Sequence, residues 1–333
     1  MVEPGGSAPI RRPGSRPLTR KKSLFSKGAI ALVERMMPMI LHRLSGRLEA
    51  EAPWKKSAFI PSPEAIGFSA DFPFMASSAC LAQDFFHVEF ARLCELICSR
   101  VNFHRKLWEL VFITHHLETA GMLGPGRRGL AFGVGREPLP AAFAELGCEI
   151  TATDAPLEVG VSAGWQESGQ FAHGLANLPR GRLDAETFES RVHWRECDMR
   201  AIDPALTDYD FCWSSCCFEH LGSLEAGLEF VVESVEKTLR IGGVAVHTTE
   251  FNLTSNEATI DHGGTVLFRR RDLEGVIARL RERGHETHDF RVSPGVFTMN
   301  GFVDTPPYGD AHLLINMDGF VTTSAGLVIR RGR

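Results

Sequence analysis

Several things are missing from this chain, and each absence narrows its class. Its 333 residues hold no uninterrupted apolar run near the roughly 20 residues that span a bilayer. Nor does the N-terminus show an apolar core followed by a small-residue cleavage site, so a cytoplasmic location is expected. There is no basic excess: the formal net charge is -5 and the pI about 6.2, which argues against a strongly basic nucleic-acid groove across the whole protein. No C-x-x-C pair occurs among the eight cysteines, Cys80, Cys94, Cys98, Cys148, Cys197, Cys212, Cys216 and Cys217. Cys94 and Cys98 share a helical face and are expected as buried small hydrophobes, with all thiols reduced. What is present is a 44% hydrophobic chain, enough for a full core in one large domain or one domain with an extension.

The most informative stretch runs from Gly129 to Asp154, GLAFGVGREPLPAAFAELGCEITATD. Leu130 to Val134 suits a buried parallel strand, and Gly133 and Gly135 permit a sharp turn with close approach of backbone to ligand. Leu139 to Leu146 reads as a helix closed by Gly147, and Glu149 to Thr153 as the next strand. Asp154 falls about twenty residues past the glycines, where α/β folds place a carboxylate on ribose hydroxyls. That order is the order of a nucleotide-cofactor site.

A missing third glycine narrows the ligand. Dinucleotide sites read G-x-G-x-x-G and seat a pyrophosphate on the helix N-terminus, but here Pro138 holds the third position. Proline suits a first helical turn yet withholds a donor that a diphosphate would use. A nucleoside without phosphates fits better, which disfavours the alternative of a nicotinamide oxidoreductase. In this form the segment resembles motif I of the class I S-adenosylmethionine (SAM)-dependent methyltransferases.

Further elements follow in that family's order. Val192 to Glu196 reads as a third strand, after which the resemblance implies that Asp198 binds the adenine amine with Met199 against the ring. Tyr209 to Ser215 reads as a fourth strand, its C-terminal end facing the cofactor. An amphipathic helix from Leu224 to Leu239 stops at Gly242-Gly243, Val244 to Thr249 forms a fifth strand, and a helix from Arg271 to Arg283 stops at Gly284. Asp318-Gly319 signals a hairpin between Ala311 to Met317 and Phe320 to Arg330. The expected fold is α/β, a Rossmann-like class I methyltransferase fold. The resemblance implies a mostly parallel seven-stranded sheet, a terminal antiparallel hairpin, helices on both faces and an N-terminal helical extension. It covers about Arg105 to Arg331.

Three segments are expected. Residues 1–27 carry seven Lys and Arg against the single acid Glu3 and read as a disordered basic arm, with weak membrane-surface contact as its functional alternative. Residues 28–103 read as a helical extension and linker, with a partly amphipathic helix from Ala29 to Leu48 kinked at Pro38 and a proline-rich stretch from Pro53 to Phe74. Residues 104–333 form the methyltransferase domain. Phe85 to Ala120 should give two helices, which in the resembling enzymes cover the cofactor and shape the acceptor pocket. Trp108 fits either stacking there or helix packing.

Methyl transfer from a sulfonium is an in-line displacement, so placement of the nucleophile with water excluded is the enzyme's main contribution. The candidate SAM-binding residues are Phe132, Gly133, Gly135, Asp154, Asp198, Met199 and Ser215. The catalytic candidates are Glu219 and His220, a carboxylate able to orient an imidazole, a ring whose unperturbed pKa lies near neutrality, and Glu250 at the end of the fifth strand. His247, inside that strand, reads as a satisfied core histidine.

The expected acceptor is an oxygen, or a nitrogen, of a sugar or other small polar metabolite. The 293–318 segment, with Phe297, Asn300, Phe302, Asp304, Tyr308 and His312, suits a polyhydroxylated ligand, and VDTPPYGDAHLLI with VTTSAGLVIRR resembles methyltransferases of polysaccharide and glycoconjugate biosynthesis. A fainter resemblance runs to metal-assisted methyltransferases of small-RNA 3′ ends. Their E-x-x-E-H motif is broken here by Cys216 in place of the first glutamate, and the register of His262 is unmatched. So incomplete a set of oxygen and nitrogen ligands suits Mg2+ poorly, and no metal is expected. A non-catalytic SAM-binding partner protein is the remaining alternative.

Overall fold

The computed structural model describes residues 73–162, 171–295, 297–309 and 311–333. The basic arm, the 29–48 helix and all but the end of the 53–74 segment lie outside the described residues.

The strands are β1 (Arg128–Phe132), β2 (Glu149–Asp154), β3 (Val192–Glu196), β4 (Tyr209–Ser215), β5 (Leu239–Asn252), β6 (Glu286–Thr287), β7 (Val303–Asp304), β8 (Leu314–Met317) and β9 (Phe320–Arg330). They form one sheet in the order β3-β2-β1-β4-β5-β9-β8-β7, with β6 on β9. The first five are mutually parallel, and β9 runs antiparallel between β5 and β8. The described sheet thus has nine strands rather than seven. Both additions, β6 and β7, are two residues long and extend the pairing at β9 and β8. Asp318 and Gly319 both take positive φ, 49° and 89°, as a tight hairpin between β8 and β9 requires.

The helices are α1 (Val88–Leu96), α2 (Arg105–Thr119), α3 (Leu139–Glu145), α4 (Leu157–Ser162), α5 (Ala185–Arg191), α6 (Leu224–Glu233) and α7 (Arg270–Glu282). Side chains alternate across a strand, and in this sheet both faces are covered. Ala131, Phe211, Trp213, Val244 and Val246 join one core with Trp108, Phe112 and Phe143 from α2 and α3. Leu130, Phe132, Cys212 and Ala245 join the other with Phe230, Val231, Leu273 and Leu280 from α6 and α7. Residues ahead of α1 also lie on the sheet: the Cys80 amide donates to the Ser324 carbonyl at 2.8 Å, and the Gly326 amide to the Ser78 carbonyl at 2.7 Å.

Two local expectations change, and the alternative left open at Trp108 is decided. Helix α6 gives way to a π-helical turn, Ser234–Thr238, and β5 begins at Leu239, so Gly242 and Gly243 lie within the strand. Gly242 takes φ 82° there, where the register between β4 and β5 shifts, and its amide donates to the Arg331 carbonyl at 2.8 Å. Chain reversal therefore comes from the π turn, while the glycines fit a bulge against the C-terminus. Cys94 is buried, but Cys98 lies past the end of α1 at φ 56° and is exposed. Trp108 is core: it is fully buried, and its indole N–H donates to Asp84 Oδ2 at 2.8 Å.

Candidate active site

A cavity of about 570 Å3 opens at the C-terminal ends of β1, β2 and β4, where the crossovers to either side of β1 leave a crevice. Gly133 and Gly135 form its floor turn at φ 57° and 50°. A Cβ on Gly133 would meet Cys217 Sγ at 2.8 Å, so both the backbone angle and the space demand glycine. Asp154 holds the turn from β2. Its Oδ2 accepts the amides of Gly135 at 3.0 Å and Ala172 at 3.2 Å, and its Oδ1 accepts Ala155 at 2.8 Å. Burial raises its pKa despite those three donors.

The other expected cofactor residues divide. Asp198 and Met199 line the cavity beyond β3. Arg200 grips both oxygens of Asp198, at 3.0 and 2.8 Å, and lowers its pKa. Ser215 lines the cavity too and donates to Glu109 Oε2 at 3.2 Å. The ring of Phe132 instead faces the core, edge-on to Phe230 at 5.0 Å, and only its carbonyl approaches the site, accepting the Cys217 thiol at 3.4 Å.

His220 lines the cavity, whereas Glu219 and Glu250 lie behind its wall. The Nδ1 of His220 sits 2.8 Å from the Gly264 carbonyl. A carbonyl only accepts, so Nδ1 carries the hydrogen and the neutral ring's lone pair is on Nε2. Glu219 is fully buried; its Oε2 accepts Thr249 Oγ1 at 3.0 Å, its Oε1 has no hydrogen-bond partner, and burial raises its pKa. Glu250 meets Arg105 Nη2 at 2.6 Å and Lys106 Nζ at 3.4 Å. Burial opposes its charge, but Arg105 and then Lys106 prevail, and its pKa falls to about 2. It is therefore a counter-ion, poorly suited to take a proton.

Sequence reasoning passed over the residues that join these groups. Glu109, fully buried on α2, accepts Thr248 Oγ1 at 2.9 Å as well as Ser215 and Ser324, and faces Lys106 Nζ at 3.2 Å. Lys106 is deep in the chain, yet its side chain is 43% exposed because it opens into the cavity. Burial and then Arg105 oppose its charge, but Cys216, Glu109 and Glu250 together outweigh them, so its pKa is raised. The available signal was the helical spacing of Arg105, Lys106 and Glu109, which stacks them on one face.

Glu137, on the turn after Gly135, also lines the cavity and was likewise missed. His247 is a satisfied core histidine, bonded to Ser214 Oγ at 2.8 Å and Ser234 Oγ at 2.9 Å. Among the described residues, Cys216, Glu219 and Glu250 bring one ligand atom each within 4.8 Å of one another. Because Glu250 already faces two cations, that trio is electrostatically occupied. His262 is 78% exposed, beside Asp261 and off the cavity wall.

No protein-family model matches the chain, and no curated protein does. Among solved structures, it is similar to a 1,6-didemethyltoxoflavin-N1-methyltransferase from Burkholderia thailandensis with bound 1,6-didemethyltoxoflavin and S-adenosylhomocysteine. Identity there is 18% and the TM-score 0.38, over 66% of this chain and 76% of the other. It is also similar to the methyltransferase domain of bacterial CtHen1, at 15% identity and TM-score 0.42, over 68% of this chain and 100% of that one. A TehB-like SAM-dependent methyltransferase from Corynebacterium glutamicum matches at 14% identity and TM-score 0.36, over 72% and 93%. The fold assignment rests on strand order and register: with β9 reversed between β5 and β8, the chain has the class I methyltransferase fold.

Proposed function

We propose that the protein is a SAM-dependent methyltransferase whose acceptor is an oxygen, or a nitrogen, of a small polar molecule such as a sugar. The observation that carries this reading is the cavity itself: a left-handed glycine turn at the end of β1, with Asp154 and Asp198 at the ends of the next two strands. About 570 Å3 falls within the range of small-molecule sites. The residues fit the cofactor in kind, since Asp154 and Asp198 suit hydroxyl and amine donors and Met199 an apolar ring face. Bound SAM supplies an activated methyl group on a sulfonium.

This chain's own part is placement and proton handling. Lys106, held by Glu109 and Glu250, presents a fixed N–H donor in the cavity and orients an acceptor oxygen. His220, which lines the cavity, is the imidazole placed to receive the acceptor's proton. The acceptor side is supported by Phe297, Phe302 and Tyr308, which are exposed on a segment joined to the start of α2. That junction is the Arg105 amide donating to the His312 carbonyl at 3.0 Å, with the rings of His104 and His312 4.5 Å apart. Such aromatic faces with adjacent polar groups suit a polyhydroxylated ligand.

Calorimetric titration with SAM and S-adenosylhomocysteine tests the cofactor, and absence of binding by both overturns the reading. Labelled SAM offered with a panel of sugars and small polar metabolites tests the acceptor. Transfer to RNA 3′ ends instead would select the metal-assisted alternative, and binding with no transfer to any acceptor would select the non-catalytic one.

A further inference from the structure

Among the described residues two acids of this cavity, Asp154 and Glu137, form no ion pair; Asp154 accepts three backbone amides, whereas Glu137 is held by a single indole. Its Oε1 accepts the indole N–H of Trp213 at 2.5 Å, and among the described residues no cation pairs with it. Trp213 is a rigid donor: it is fully buried, stacked on Phe211 at 5.8 Å and met edge-on by Phe143 at 5.2 Å. The other charged groups around the cavity are Lys106 on α2, Asp154 from β2, Asp198 and Arg200 after β3, His220 after β4, and Arg136 on the same turn. Asp198 is matched by Arg200, and Lys106 by Glu109 and Glu250. A carboxyl pinned at a cavity wall without a counter-ion is costly to ionise, and a ligand that carries positive charge removes the cost.

We propose that Glu137 is a proton-linked anchor for the positive charge of the cofactor, giving up a proton when a cationic ligand binds. The inference rests on the SAM reading above, because SAM brings a sulfonium and an ammonium. Only the carboxyl O–H bond breaks: its electron pair stays on Glu137, its proton goes to the buffer, and no other bond changes. Burial, with Glu109 and Asp154 nearby, pushes the Glu137 pKa up to about 8, so the acid form predominates at neutral pH without ligand. Trp213 donates to either form and holds the group in place through the change.

The role differs from that of a ribose or adenine ligand, since those contacts need no change of protonation. It makes affinity depend on pH in one direction: SAM should bind tighter as pH rises, approaching ~10-fold per unit from pH 6 to 7.5.

Titrating SAM into the full chain at pH 7 in buffers of different ionisation enthalpy measures the proton count directly. The expected result is release of close to one proton per SAM bound. The variant Glu137→Gln should abolish that release and flatten the pH dependence, while Asp154→Asn should keep the release even if it weakens binding. Binding by the native protein without proton release would overturn the role of Glu137 and leave the SAM reading intact. Retained release in Glu137→Gln would do the same. Failure of the native protein to bind SAM at all would remove both. The proton count on the native chain needs no variant to fold.

Discussion

The guanidinium of Arg105 stands 2.6 Å from the carboxylate of Glu250, and the two side chains are only 6% and 4% exposed. Removing Arg105 leaves the buried Glu250 with Lys106 at 3.4 Å as its remaining cation, so Arg105→Met should destabilise the protein by about 3 kcal/mol in urea unfolding. The double variant Arg105→Met, Glu250→Met should recover most of that loss. Glu250 is depressed from its ordinary 4.5 to about 2, so its contribution is present above pH 4.5 and is lost as pH falls through 2. A double-variant loss equal to the sum of the losses in Arg105→Met and Glu250→Met alone would show that the pair is not energetically coupled.

Gly133→Ala meets two obstacles, a φ of 57° and a Cys217 Sγ 2.8 Å from the new Cβ. The left-handed backbone alone costs about 1–2 kcal/mol. Cys217→Ala in the same chain should restore only a small part of the melting temperature, because it removes the Sγ contact and leaves the Cβ at position 217 only 2.9 Å from the new methyl. Cofactor affinity, followed by calorimetry, should stay weakened in both variants because the turn itself has shifted.

His247 ties β5 to β4 through Ser214 and to the π turn through Ser234, and burial lowers its pKa from 6.5 to about 3. A histidine held neutral in the fold costs stability as pH drops, because the unfolded chain takes up a proton first. The loss begins below about pH 6.5 and continues to the folded value, amounting to about 2 kcal/mol between pH 7 and 5. His247→Gln should start less stable at pH 7 yet lose correspondingly less on going to pH 5. Parallel pH profiles for the two proteins would rule out His247 as a source of acid sensitivity.

His220 and Glu219 are adjacent in sequence but differ in access, and kinetics should separate them. His220→Ala is expected to lower kcat by about 10²–10⁴ with little effect on the KM for SAM, as loss of a general base would. Glu219→Gln should leave kcat within a few-fold, since burial already disfavours the charged form and Thr249 can donate to an amide oxygen. An unchanged kcat in His220→Ala would remove the base assignment.

Much of the strand and helix order was legible because it rests on local signals. Val192–Glu196 and Tyr209–Ser215 are strands at the bounds read from hydrophobic pattern, and Asp318-Gly319 turns the chain through its positive φ values. The glycine pair at 242 and 243 was misread because it is equally good as a helix stop and as a bulge. Only pairing with Arg331 across the sheet selects the bulge.

The candidate site was legible where a residue follows directly from a strand end, as Asp154, Asp198 and His220 do. It was illegible where charge partners come from distant segments. Glu250 looked like a free base because Arg105 and Lys106 lie far from it in the chain, and Glu137 was hidden by the attention that the glycines draw.

By itself the sequence determined the glycine turn, the acid one strand later and the terminal hairpin, since φ preferences and alternation act over a few residues. Tertiary structure alone decided which acids are charged. That depends on burial and on cations carried in from other elements: Arg105 and Lys106 hold Glu250 ionised, whereas among the described residues Glu137 beside Trp213 has no counter-ion.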